Sequence, residues 1–357
     1  MKYKTLFLAL SALLALSACN RDDDDDKPAA PAPVSTYTFS DFETNTQTER
    51  QQAANLKQLV TEMQKGRTSG TEVDSALLVQ LYSGSGASSL ESLSEPAFAD
   101  SVSSWIARMA LSAGNTYNPA TAPSGTGGAL GGYLFDRYGV EPEQLIEKGA
   151  FGAALYYRVL TQLFVGEVSA ADIDKAFVYY GADPSFPNNG SDNFTARYAA
   201  RRDNVGFYTR LKASFLNARA AAASGNATAL QAAITAIKTD WEATLAATVI
   251  NYLYGTASGL AAATTDPQRA AAWHSWSEGV GFLYGLRALP AAQRRLTNAQ
   301  LDDIMTKMNA SYPYTPTSLN SPSELADLEA AIQIIATAYG FADPTLFKIN
   351  DVTANGR

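Results

Sequence analysis

The sequence predicts an all-α protein, a helical bundle or a pair of related bundles behind a disordered N-terminal tether. Three observations predict it. Alanine is abundant, which favours helix. Alternating β-branched runs bounded by turns are missing. Prolines and glycines fall where helices begin and end. At 357 residues, 46% hydrophobic and 10% aromatic, the chain has enough apolar material to bury a core.

The first element is a targeting segment over residues 1–18. Lys2 and Lys4 form a basic start, Leu6 to Leu16 an apolar run, and Leu16-Ser17-Ala18-Cys19 a small-residue end. The apolar run is too short to span a bilayer comfortably. Leu-Ser-Ala-Cys resembles a lipobox, in which the cysteine is lipidated and becomes the first mature residue. Lipid on Cys19 would hold the protein to a membrane surface without crossing it. Removing residues 1–18 takes away two lysines and no acid, so the formal charge moves from -8 to -10.

Residues 19–36 read as a solvated tether. Asp22 to Asp26 repel one another, and Pro28, Pro31 and Pro33 resist helix. Acidic residues just after a lipidated cysteine resemble surface-export signals of some Gram-negative lipoproteins. Asn20, in place of an aspartate, fits outer-membrane rather than inner-membrane retention.

Residues 37–357 read as one all-helical domain, with halves at about 37–190 and 191–345. Helices are expected over Gln47–Gly66, Val73–Tyr82, Pro96–Leu111, Pro142–Val165 and Ala170–Tyr180. Further ones are expected over Asn193–Ala223, Thr228–Tyr254, Pro267–Leu289, Asn298–Asn309 and Ser323–Tyr339. The stretches Asn115–Gly132 and Gly181–Ser191 carry turn chemistry and read as long loops.

Composition excludes several functions. One cysteine cannot build a zinc finger, a Cys-x-x-Cys redox site or a disulfide framework, and one histidine cannot build a three-histidine metal site. A sequence pI near 4.8 argues against a nucleic-acid surface.

Two helices carry glycines in their interiors, each costing roughly 1 kcal/mol relative to alanine. In the first, Gly149 and Gly152 share a stripe with Leu145, Tyr156 and Leu160, which implies close helix packing. Glu147 and Arg158 fall on the opposite, solvated side. In the second, His274, Glu278, Gly281 and Gly285 share one narrow stripe. Trp273, Trp276, Val280, Leu283 and Tyr284 cover much of the remaining surface, so this helix is expected to be buried.

Three accounts of His274 and Glu278 stay open. They form a hydrogen-bonded i,i+4 pair in the core. They are two ligands of an iron or zinc site completed by carboxylates from other helices. Or one of them is a general base. The spacing His-Glu-x-x-His is missing, and no serine sits in a recognisable nucleophile elbow.

The chain resembles an uncharacterised bacterial lipoprotein family, a domain of unknown function similar to imelysin-like envelope proteins. The resemblance rests on Tyr37-Thr-Phe39, on Leu145 to Tyr157, and on Trp241 to Ile250. It continues through His274-Ser-Trp-Ser277-Glu278-Gly-Val-Gly281-Phe282 and Ile335 to Phe341. It implies paired helical bundles tethered in the envelope and a link to iron or haem acquisition, with some relatives described as peptidases. The family hallmark Gly-x-His-x-x-Glu has its nearest counterpart here in His274-x-x-x-Glu278, at a different spacing. The resemblance also exposes an echo of Trp276 to Leu283 in Ile173 to Tyr180. There Ala171 and Lys175 replace the ligand-like residues, leaving Asp172 and Asp174 as candidate oxygen ligands.

The expectation is therefore a lipid-anchored binding or accessory protein of the outer membrane, facing the periplasm or the surface, serving metal or iron-complex uptake. Its metal candidates are His274 and Glu278, supported by Asp172, Asp174 and Glu147, with iron or zinc as cofactor. An outer-membrane receptor or uptake protein would be its partner, and no nucleic acid would be. A hydrolase using His274 and Glu278, or a purely structural partner of such a receptor, are the alternatives; a non-catalytic role is favoured.

Overall fold

The computed structural model describes residues 35–84, 86–186 and 191–348. The targeting segment, Cys19, the aspartate run, the tip of the 181–191 loop and residues 349–357 lie outside the described residues. From Ser35 the chain forms one compact unit.

Twelve α-helices and one hairpin make up the described residues. They are α1 (Phe42–Asn45), α2 (Gln47–Gln64), α3 (Ser75–Ser83), α4 (Pro96–Ser112), β1 (Gly127–Leu130), β2 (Tyr133–Asp136) and α5 (Pro142–Ala150). Then come α6 (Ala170–Tyr180), α7 (Phe194–Ala200), α8 (Phe207–Ser224), α9 (Ala227–Ala262), α10 (Asp266–Ala288), α11 (Asn298–Lys307) and α12 (Pro322–Tyr339). The all-α expectation holds. No described helix is long and apolar enough to cross a membrane.

The 36-residue α9 is the central post, with α8, α10 and α12 against it. Its apolar centre includes Trp241, Leu245, Val249 and Leu253, all fully buried. The helix continues through Gly255 and Gly259, eight residues beyond the expected end at Tyr254. Gly259 lies at the close contact with α10. A Cβ at Gly259 would sit 3.0 Å from the Ala272 Cβ of α10, so small residues let the two helices stay in contact.

Two expectations need correction. The helix expected over Asn193–Ala223 is two helices, α7 and α8, because Gly206 takes a φ of 79° and turns the chain between them. The loop expected over Asn115–Gly132 contains β1, which pairs antiparallel with β2 in the register Leu130↔Tyr133 and Gly127↔Asp136. Gly131 and Gly132, with φ of 62° and 88°, supply the two left-handed residues that a tight two-residue hairpin turn requires.

After Ala150, α5 widens into π-helical turns over Phe151–Tyr156 and Val159–Leu163. The wider turns break the 100° register, so Tyr156 leaves the glycine stripe and stacks on Trp241 of α9 at 4.8 Å. The glycines themselves behave as expected. A Cβ on Gly152 would lie 2.6 Å from the Gly285 Cα, and one on Gly281 would strike the Gln144 carbonyl. Glu141 meets Ser277, Gln144 meets Gly281 and Gly152 meets Gly285, so α5 and α10 run side by side in the same direction.

Candidate functional site

The α5–α10 seam holds His274. α10 starts cleanly because Thr265 and Gln268 form a capping box and Pro267 sits in the first turn. One turn apart, His274 and Glu278 then face α5. Across the seam, Glu141 precedes Pro142 at the start of α5. Its backbone N–H donates to Ser277 Oγ at 3.0 Å, and Ser277 Oγ donates to the Trp273 carbonyl at 2.9 Å. This places the fully buried Glu141 carboxylate against the imidazole.

His274 is engaged on both nitrogens. Nδ1 lies 2.5 Å from Glu141 Oε2, and Nε2 lies 3.3 Å from Glu278 Oε2. The hairpin closes the site from above: Tyr133 on β2 stacks on the imidazole with centroids 4.2 Å apart. The imidazole is 19% exposed.

The carboxylates continue outward into cations. Glu141 Oε1 is 3.1 Å from Arg67 Nη2. Arg67 also donates to Glu143 from Nε at 2.7 Å and from Nη2 at 3.0 Å. Gln64 donates to the same Glu143 carboxyl at 3.1 Å. On the other side, Glu278 accepts from the Tyr252 hydroxyl at 2.9 Å and lies 3.6 Å from Lys148 Nζ. Lys148 reaches Glu147 at 2.7 Å. The order Arg67, Glu141, His274, Glu278, Lys148, Glu147 alternates in sign when His274 is protonated, and Glu143 lies beyond Arg67 at one end.

The electrostatics favour that state. Burial opposes charge on His274, but the hydrogen bond and charge of Glu141 and the charge of Glu278 outweigh it and raise its pKa above the ordinary 6.5; Arg67 works the other way. Burial also opposes the charge on Lys148, yet Glu147, Tyr198 and Glu278 hold its pKa up. Arg67 is likewise held charged against burial by Glu141 and Glu143. Burial, with Glu141 beside it, pushes the Glu143 carboxyl up to about 8 although Arg67 pulls it down. With His274 charged and Glu143 protonated, three carboxylates face three cations, which is how a buried chain of this kind avoids an uncompensated charge.

Of the five residues expected at a site, the structure brings three together. His274 and Glu278 are adjacent, and Glu147 joins them through Lys148. Glu147 is not on a solvated face: its side chain is only 14% exposed. Asp172 closes the capping box of α6, accepting from the Ser169 backbone N–H at 3.0 Å. Asp174 is fully buried and accepts from Tyr37, Asn45 and Arg219, each at 2.8 Å. Among the described residues, neither aspartate shares a hydrogen-bond or ion-pair partner with His274.

The donor set does not fit a metal. Among the described residues no group of three His, Cys, Asp or Glu side chains is arranged to hold one. The physical reason lies in Arg67 and Lys148, which already neutralise the carboxylates a cation would need. A protonated His274 has no lone pair with which to act as a general base, and Ser277 Oγ points its proton at a backbone carbonyl.

Sequence reasoning missed Glu141, Arg67 and Tyr133. A signal existed for the first: the two glycine stripes place Gly149 against Gly285, and stepping back two turns along both helices puts Glu141 opposite Ser277. Arg67 and Tyr133 lie in a short turn and a hairpin that leave no periodic trace.

Residues 171–342 match the family model described as Domain of unknown function (DUF4856). The matched segment contains His274, Glu278 and Tyr252; Arg67, Glu141, Glu143, Glu147 and Lys148 lie before it. No curated protein and no solved structure matches the chain.

Proposed function

We propose that this chain, which carries a domain of unknown function over 171–342, is a lipid-anchored binding or accessory protein of the cell envelope. In this reading His274 and Glu278 are the charged keystone of its seam rather than catalytic or metal-binding residues. The observation that carries it is the engagement of both His274 nitrogens by carboxylates that have their own cations. A hydrolase would need a free imidazole nitrogen facing substrate. An iron or zinc site would need Arg67 and Lys148 displaced. The envelope placement rests on the lipobox at Cys19 and the acidic tether behind it.

Two experiments test the reading together. The full chain is titrated with iron(II), iron(III) and zinc by calorimetry and incubated with a peptide library, beside His274→Ala. No metal heat and no cleavage that depends on His274 is the expected result; either one overturns the keystone role. Cell fractionation of Cys19→Ala should move the protein from membrane to soluble fractions, and unchanged membrane attachment would contradict the anchor.

A further inference from the structure

A second feature lies on the other side of the hairpin. A half-open pocket of about 470 Å3 is lined by Arg108, Leu111, Asp136, Arg137, Tyr138 and Tyr312, a volume in the range that takes a small organic ligand. Its walls are unusual for a solvated surface. Tyr312 is 66% exposed and Leu111 72% exposed. The Tyr138 and Tyr312 rings meet edge to face at 5.7 Å, and their hydroxyls are 3.2 Å apart. Behind them Tyr312 meets Tyr314 at 5.8 Å, and the Tyr314 hydroxyl meets that of Tyr284 at 3.0 Å. These contacts fix the rings before any ligand arrives, which lowers the ordering cost of binding.

The charges are unequal. Asp136 is held by Arg108 on one oxygen and by the Tyr138 and Val140 backbone N–H groups, at 2.8 and 3.1 Å, on the other. Its charge is therefore committed to Arg108. Arg137 makes no ion pair among the described residues. Its guanidinium lies 4.8 Å from the Tyr138 ring centre and donates to the Tyr138 hydroxyl at 2.7 Å. The pocket thus carries one uncompensated cation on a chain whose formal charge is -8.

We propose that this pocket binds an anionic saccharide, with the sugar carboxylate on Arg137 and the C–H face of a pyranose ring on Tyr312. A sugar acid matches each part of the surface. Its ring face is apolar and packs on an aromatic face. Its hydroxyls find partners in Tyr138, Tyr312 and the Ser124 and Thr126 side chains at the rim. Its carboxylate supplies the charge that Arg137 lacks, in the planar geometry guanidinium prefers. A bare phosphate would leave the tyrosines unused, and a purely apolar ligand would bury Arg137 without a partner. The proposal stands on this surface and not on the role of His274.

The test is calorimetry of the full chain with trigalacturonate, and with neutral maltotriose as the comparison. Trigalacturonate should bind, and maltotriose should bind at least about tenfold more weakly. Arg137→Ala and Tyr312→Ala should each weaken trigalacturonate at least about tenfold. Tyr312→Phe, which keeps the ring, should retain most of the affinity. Because Arg137 and Tyr312 are exposed, both alanine variants should melt with the parent. Absence of trigalacturonate binding at millimolar concentration, equal binding of maltotriose, or binding unchanged in both alanine variants would each overturn the proposal. Inorganic phosphate binding that depends on Arg137, with no saccharide binding, would overturn it in favour of a simple anion site.

Discussion

His274→Ala removes the central link of the alternating chain. Two contacts to carboxylates vanish, at 2.5 Å to Glu141 and 3.3 Å to Glu278. A charge-assisted hydrogen bond contributes about 1.5–3 kcal/mol, and breaking a buried pair costs about 3–5 kcal/mol because a charge is left behind. Here neither carboxylate is orphaned. Glu141 keeps Arg67 and Glu278 keeps Tyr252 and Lys148. The loss therefore falls at the low end, about 3 kcal/mol, or about 5 °C in melting temperature for a domain of this size. The pH dependence is the sharper readout. A histidine whose folded pKa is raised contributes fully below its unfolded value of 6.5 and loses that contribution as pH rises through the folded value. Denaturant unfolding of parent and variant, followed by tryptophan fluorescence at about pH 6 and about pH 9, measures both gaps. The gap should be largest at the lower pH and narrow at the higher one. A gap that is independent of pH, or that widens with it, would refute the charged-keystone reasoning.

Three further predictions follow the same physics. Glu143→Gln should flatten the fall in stability between about pH 5 and pH 8: the Glu143 carboxyl, pushed up to about 8, keeps a proton in the fold that an unfolded glutamate near 4.5 has lost, so stability is complete below 4.5 and declines as pH rises; an unchanged slope of denaturation midpoint against pH would contradict this. Gly152→Ala should destabilise by about 1–3 kcal/mol or more, because the new Cβ would lie 2.6 Å from the Gly285 Cα. Thermal melting within a degree or so of the parent would show that α5 and α10 are not in close contact. Asp174→Asn should cost about 3 kcal/mol by loosening Arg219 from its buried carboxylate, and should lower hydrogen-exchange protection in α1, whose Asn45 and preceding Tyr37 hold the same side chain; full protection of that segment would argue against the clamp.

Much of the fold was legible because helix signals are local. Prolines at the starts of α4 and α5, Gly181 after α6 and Gly340 after α12 mark ends that the structure keeps. What failed was set by tertiary context. Gly206 divides α7 from α8 within a stretch whose composition reads as continuous helix. The Gly127–Asp136 hairpin is too short and glycine-rich to show alternation, yet it positions Tyr133 over His274 and Asp136 beside Arg108. The pairing of His274 with Glu278 was readable from i,i+4 spacing, because both partners lie on one helix. Glu141, Arg67 and Lys148 reach the imidazole chain from other elements, so single-helix periodicity could not reveal them. The same reasoning placed Glu147 on a solvated face, since a helical wheel cannot see Lys148 folding back to cover it.

The chain has a single histidine, so its imidazole can be titrated by nitrogen-15 NMR on histidine-labelled protein without assignment, provided any purification tag lacks histidine. The account predicts one imidazole that titrates above 6.5 and carries protons on both nitrogens below its midpoint, with ring protons shifted upfield by the stacked Tyr133. A midpoint at or below 6.5 would contradict the charged keystone.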